Sequence, residues 1–271
     1  MTSRPIRLAG AALLAAGSLG VLAACGSSDD DGGTSSSDLA ASCKANDAVN
    51  TGFDNLFEKT PALQSDNPQP TPAQKEQIRA NFDRYAAPAL AQIEKNPPDE
   101  IADELKAAIA SARKVRDGDV RAIQSPAFEQ QTRKIDAFYF DNCGGQKNTV
   151  KAIDYAYDGL KPTFTVGQVH FKMQNTGKEV HEMQIARLKP GVNKTFAQIL
   201  KLPLNEGDKY VEQVAGADPV PSGQSSYASA DLVPGQYIAI CFVPQGTTSL
   251  QKPGKGKPHF LLGMQKEFTV K

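Results

Sequence analysis

The sequence changes character at Cys143-Gly144-Gly145. Before this point, from about residue 39, apolar side chains recur at helical spacing and Pro and Gly break the runs. After it, β-branched and aromatic residues alternate with polar ones. A period of 3.6 and a period of 2 bury different faces, so one pattern does not serve as the other. The chain therefore reads as two domains, all-α over about 39–145 and all-β over about 146–271. A length of 271 residues agrees with a prior of roughly 150 per domain.

Four helical stretches are expected in the first domain. One covers about 39–59, with Asp38 as N-cap. The second starts at Thr71-Pro72, a cap followed by Pro at the first helical position, and runs to about Lys95. Asn96-Pro97-Pro98 breaks it. The third begins with acidic residues that suit a helix N-terminus, Asp99 and Glu100, and ends at Asp117-Gly118-Asp119. The fourth follows Ser125-Pro126. Four helices with short connections predict an up-down-up-down four-helix bundle. In that topology Cys43 and Cys143 lie at the same end, and an oxidising compartment permits a disulfide between them. Two free thiols, or one of them pairing with Cys241, are the alternatives. The bundle contains no His, and its cluster Asp99, Glu100, Asp103 and Glu104 reads as a solvated helix face.

The N-terminus stands apart from both domains. Arg4 and Arg7 precede an uncharged run from Leu8 to Ala24 that ends in Leu22-Ala23-Ala24-Cys25. A basic start, an apolar middle and small residues at the end are the parts of a signal peptide. The ending resembles the lipobox of bacterial lipoproteins. That resemblance implies cleavage after residue 24 and a diacylated Cys25 as the new N-terminus. Each buried methylene adds roughly 0.8 kcal/mol, so two or three chains anchor stably. Residues 25–38, rich in Gly, Ser and Asp, are expected to be a flexible tether. The mature chain would then lie outside the cytoplasm, tethered to the membrane by lipid.

In the second domain, strands are expected over 151–157, 164–174, 180–188, 225–232, 236–243 and 266–270, with one short helix over 196–202. Short strands at this spacing suggest a sandwich. All three His lie here. Val169, Phe171 and Met173 share one face of their strand, so His170 and Lys172 take the other and are expected at the surface. His181, Met183 and Ile185 point to the apolar side of the next strand.

The order His181, Cys241, His259, Met264 resembles the cupredoxins, the blue copper proteins of the plastocyanin and azurin type. Asn175-Thr-Gly-Lys-Glu-Val-His181 looks like their loop before the first His, and Pro234-Gly-Gln-Tyr-Ile-Ala-Ile-Cys241 like the strand that delivers the Cys. His259 and Met264 match the plastocyanin-like His-x4-Met spacing. The resemblance implies a Greek-key sandwich with one type 1-like copper ion. His181 and His259 would be imidazole ligands, Cys241 the thiolate and Met264 an axial thioether, a set that suits copper. The chain departs from the family in one place. The family separates its Cys from the second His by a few residues, and here 17 intervene. Closure entropy grows slowly with loop length, so a hairpin is able to bring His259 back to Cys241. A long mobile loop would hold the site less rigidly.

The implied function is one-electron transfer or copper handling at the cell envelope, by a monomer without enzymatic activity. A metal-free sandwich serving as a binding or structural module is the alternative. Only 3 His are present, too few for the additional His-x-His motifs of a multicopper oxidase, and no Cys-x-x-Cys-His haem site occurs. Thirty basic and thirty acidic residues sum to zero, which argues against a nucleic-acid binder. Zero conceals a polarity. Residues 26–145 carry 13 basic and 20 acidic groups, and residues 146–271 carry 15 and 10. Lys252, Lys255 and Lys257, just before His259, offer a basic rim to an acidic redox partner.

Overall fold

A computed structural model describes residues 36–63 and 69–271. The signal segment, Cys25 and most of the expected tether lie outside the described residues. The tether's last three positions do not extend it: they form the first turn of helix α1, Ser36–Lys59. Asp38 therefore sits inside that turn, where a negative charge favours the helix dipole, rather than at the cap.

The second expected helix is two. Thr71 caps α2 (Pro72–Asn81) in a reciprocal capping box with Gln74. A π turn over Phe82–Ala86 then leads into α3, Ala87–Lys95. Pro88 lies just beyond that turn. It has no N–H to give to the preceding turn, and the local widening accommodates this. With α4 (Ala102–Lys114) and α5 (Pro126–Asn142), the described region holds five α-helices instead of the expected four. Leu56, Ile78, Phe82, Leu90, Leu105 and Ile135 meet in their common core. Cys43 and Cys143 are disulfide-bonded with Cα atoms 5.7 Å apart, so the start of α1 is tied to the end of α5. None of the described helices is long and apolar enough to cross a membrane.

Gly145 makes the passage from helix to strand. Its φ of 102° is in the left-handed region, and a Cβ there would fall 2.9 Å from the Gln168 carbonyl oxygen. Two sheets follow. In the first, β1 (Gln146–Ile153) runs between β2 (Ala156–Asp158) and β4 (Gly167–Asn175), and β4 pairs in turn with β7 (Ser225–Leu232). In the second, the order is β3 (Thr163–Phe164), β9 (Gln265–Val270), β8 (Gly235–Ile240), β5 (His181–Leu188) and β6 (Val211–Val220). The strand expected at 151–157 is thus the end of β1 and the start of β2, joined by a turn at Asp154 and Tyr155. The edge strand β6 was not expected: Gly216 and Pro219 interrupt its pattern, and its pairing with β5 carries two register shifts. The expected helix at 196–202 is the single turn α6, Phe196–Ile199, capped by Thr195 and Gln198.

Val169, Phe171 and Met173 of one sheet bury against Met183, Ile185 and Phe268 of the other. Burying one such side chain stabilises the fold by roughly 1.5–3 kcal/mol. The opposite face of β4 is partly covered, and buried at His170. Helix α5 packs on β4 and β7, so His170 is 6% exposed and its Nε2 lies 2.9 Å from the Gly144 carbonyl oxygen. The surface position expected for His170 is corrected accordingly. Strand alternation identifies the face on which a residue lies and not what covers it.

Candidate metal centre

The centre lies at one end of the sandwich, where four chain segments bring their side chains together. His181 opens β5, at the inward-facing position that alternation with Met183 and Ile185 gives it. Cys241 stands one residue beyond β8. His259 begins a single 3-10 turn, His259–Leu262, and Met264 follows it immediately before β9. His181, Cys241, His259 and Met264 are all 0% exposed.

The 17-residue interval after Cys241 is folded into a hairpin. Pro244 bridges Pro258, Gln245 N–H donates to Lys257 O, and His259 N–H donates to Val243 O at 2.9 Å. Phe260 N–H donates to Cys241 O at 2.9 Å. The loop is also pinned from outside, because Val180 N–H donates to Thr247 O at 2.7 Å. This ladder returns His259 to Cys241 and replaces the loosely held loop expected from its length.

Three donor atoms converge. Nδ1 of His181 is 3.1 Å from Nδ1 of His259, and Cys241 Sγ is 3.5 Å from the same His259 nitrogen. One ligand atom from each of the three residues falls within 4.8 Å of the others, the one such grouping among the described residues. Met264 is joined to the other two through its backbone: its N–H donates to His259 O and its carbonyl accepts from Cys241 N–H.

Two carboxylates, neither anticipated from the sequence, stand behind the imidazoles. Asp154 Oδ1 lies 3.1 Å from His181 Nε2, and Glu179 Oε2 lies 3.0 Å from His259 Nε2. Burial opposes ionisation of Asp154, but hydrogen bonds from Lys178 N–H and from His181 outweigh it and lower its pKa. Burial likewise opposes ionisation of Glu179, and donors at Gly246, His259 and Tyr155 outweigh it. Both groups are thus charged acceptors. The available signals were slight: Glu179 lies two residues before His181 in the loop already singled out, and Asp154 stands at a turn hidden inside an expected strand.

A carboxylate only accepts, so each Nε2 donates outward. Burial holds His181 below the ordinary imidazole value, opposed by Asp154 and reinforced by the neighbouring His259. A neutral His181 then turns a bare Nδ1 lone pair toward the Nδ1 of His259. Cys241 is able to contribute one S–H, because burial and the nearby Glu182 carboxylate push its thiol up to about 12. Glu182, itself buried, accepts from Phe242 N–H and Gln184 Nε2, and burial raises its pKa. Facing lone pairs in a site without water exposure are costly, and a cation resolves them. The donor set fits a thiophilic transition metal.

No protein-family model matches the chain, and no curated protein matches it. Several solved structures are similar. Dithionite-reduced auracyanin from the photosynthetic bacterium Roseiflexus castenholzii is 20% identical, over 47% of this chain and 98% of that one, with a TM-score of 0.31. Auracyanin A, described as a "blue" copper protein from the green thermophilic photosynthetic bacterium Chloroflexus aurantiacus, is 18% identical over 47% and 100%, with a TM-score of 0.31. Reduced rusticyanin is 20% identical over 47% and 79%, with a TM-score of 0.27. The sheet order and the convergent donors, not these likenesses, carry the reading that follows.

Proposed function

We propose that the β domain is a cupredoxin-like module that binds one copper ion, and that the chain acts in one-electron transfer or copper handling at the cell envelope. The observation that carries this reading is the buried meeting of His181 Nδ1, His259 Nδ1 and Cys241 Sγ. Zinc also accepts thiolate and imidazole. A thioether at Met264 favours copper, because soft sulfur ligands select it. When bound, copper supplies reversible one-electron chemistry. The chain's own residues would hold it: His181 and His259 as imidazole ligands, Cys241 as thiolate after loss of its proton, and Met264 as the weak axial partner. The two sheets and the hairpin 242–258 exclude water from that ligand set.

In the same reading, Cys25 carries the lipid that anchors the chain to the membrane. Residues 26–35 act as a spacer, and the monomer neither catalyses a reaction nor binds nucleic acid. Lys252, Lys255 and Lys257 are exposed on the hairpin, where they would draw in an acidic redox partner.

The test is direct. Protein beginning at Gly26 is titrated with Cu(II), with visible absorption and EPR as readouts and Cys241→Ser as control. An intense thiolate-to-copper band, absent from the variant, is expected. No stoichiometric copper uptake by protein with a reduced Cys241 would overturn the copper reading in favour of a metal-free binding or structural module.

A further inference from the structure

We propose that Asp154 and Glu179 are positioning residues that lock both imidazoles with Nδ1 inward and bias the centre toward the divalent ion. This rests on the copper reading above.

Each carboxylate meets one imidazole, and each is itself fixed. Asp154 Oδ1 accepts from Lys178 N–H at 2.9 Å and from Glu179 N–H at 3.4 Å. Glu179 Oε2 accepts from Gly246 N–H at 2.6 Å, and its Oε1 accepts from the Tyr155 hydroxyl at 3.0 Å. Side-chain exposure is 33% for Asp154 and 17% for Glu179, so neither is a freely mobile surface acid. Glu179 thereby ties three loops together: its own, the hairpin after Cys241, and the β1–β2 turn that carries Tyr155.

That turn is strained in the service of the contact. Tyr155 has a φ of 65°, the one described non-glycine residue with positive φ, a conformation that bulky side chains rarely adopt. It sets the Tyr155 ring edge-on to His259, with centroids 5.1 Å apart, while Asp154 beside it reaches His181. Gly177 supplies the close approach on the other side. A Cβ there would fall 2.4 Å from Asp154 Oδ1 and 2.6 Å from His181 Nε2. Space, strain and hydrogen bonds converge on the same two carboxylate–imidazole pairs.

The chemical consequence follows from charge. A carboxylate on Nε2–H fixes the tautomer and raises the basicity of the nitrogen that faces the metal. With Cys241 as thiolate, three negative charges surround the centre. They stabilise a doubly charged ion more than a singly charged one.

The experiment measures Cu(I) affinity, Cu(II) affinity and reduction potential in the full mature protein, in Asp154→Asn and in Glu179→Gln. Each variant is expected to lose roughly 10–100-fold in Cu(II) affinity, and less in Cu(I) affinity. A tenfold difference between the two losses raises the potential by about 59 mV. Equal losses with an unshifted potential overturn the proposal, since a purely structural role would do that. A wild type that shows the copper band beside unaffected variants also overturns it, and leaves the copper reading standing. A wild type without the band overturns both. Nitrogen NMR of the metal-free wild type decides the ring positions without any variant having to fold. Both rings protonated at Nε2 supports the proposal, and either ring carrying its proton on Nδ1 alone overturns it.

Discussion

The helical region and the β domain use cysteine in opposite ways. Cys43 and Cys143 meet each other at the junction of α1 and α5 and close a 100-residue separation covalently. Cys241 is the free cysteine of the described residues. It meets two imidazoles, and its thiol is pushed up to about 12. Their polar contacts differ in the same sense. The helical region pairs its charges at the surface, as in the forked contact of Arg116 with Asp83 and in Arg79 with Asp117. Such exposed pairs contribute about 0–1 kcal/mol each. The β domain buries His181, His259 and Cys241 together at one end. The same residue type staples one half and arms the other, and its neighbours decide which.

The largest expected effect tests whether the staple belongs to one half alone. Cys43→Ser with Cys143→Ser removes a closure that chain entropy values at about 4.7 kcal/mol for a loop of this size. Chemical denaturation of the double variant should show the helical transition displaced to lower denaturant. The copper band of the β domain should persist through that transition. Simultaneous loss of both signals in a single transition would show that the two regions unfold as one unit and would break the comparison.

The complementary change attacks the β domain. Gly177→Ala places a methyl group against Asp154 Oδ1 and His181 Nε2. It should lower copper affinity by roughly 10–100-fold while leaving helical circular dichroism unchanged. Unaltered copper binding in this variant would mean that the Asp154–His181 pair does not orient the ring.

Much of this end of the molecule was legible because strand alternation is unambiguous at β4 and β5. Met183 and Ile185 turn His181 inward, and the order of Cys241, His259 and Met264 along the chain places them at neighbouring strand ends. The carboxylates were not legible. Asp154 and Glu179 lie in turns, where no period indicates direction, and their partners lie 27 and 80 residues away. The edge strand β6 was hidden by Gly216 and Pro219, and the π turn by the helical spacing around Pro88. His170 shows a different limit. Its face was read correctly, but contact between α5 and the sheet is a tertiary fact with no local signature.

That buried histidine offers a test of the boundary between the halves. His170→Ala removes the part-buried bond to the Gly144 carbonyl, and a hydrogen bond of this kind contributes about 0.5–1.5 kcal/mol. The loss should appear as a lower denaturation midpoint, with His170→Gln recovering part of it through its own N–H. Equal stability of all three proteins would mean that water replaces the bond and that the two regions dock without it.

The smallest effect depends on pH. Asp136 of α5 lines a cleft of about 40 Å³ against β4 and β7, shared with Asn46, His170, Tyr227 and Ser229. Burial, and then the negative charge of Asp218, raise its pKa from 3.8 to about 7. Between those two values the folded chain holds a proton that the unfolded chain has released. Stability therefore falls as pH rises through that window, and the cost is fully present above about 7. Asp54 of α1, raised to about 6 by burial and then by Asp218, works in the same direction. Asp136→Asn removes one of these protons from the balance. The variant should melt about 2–4 °C above the wild type at pH 8, the shift that roughly 1 kcal/mol gives a chain of this size. The difference should shrink toward zero near pH 4. A gain of equal size at both pH values would mean that the substitution acts through packing. In that case the acidic surface of the helices would meet the β domain without electrostatic conflict, and the two halves would be matched in charge as well as in shape.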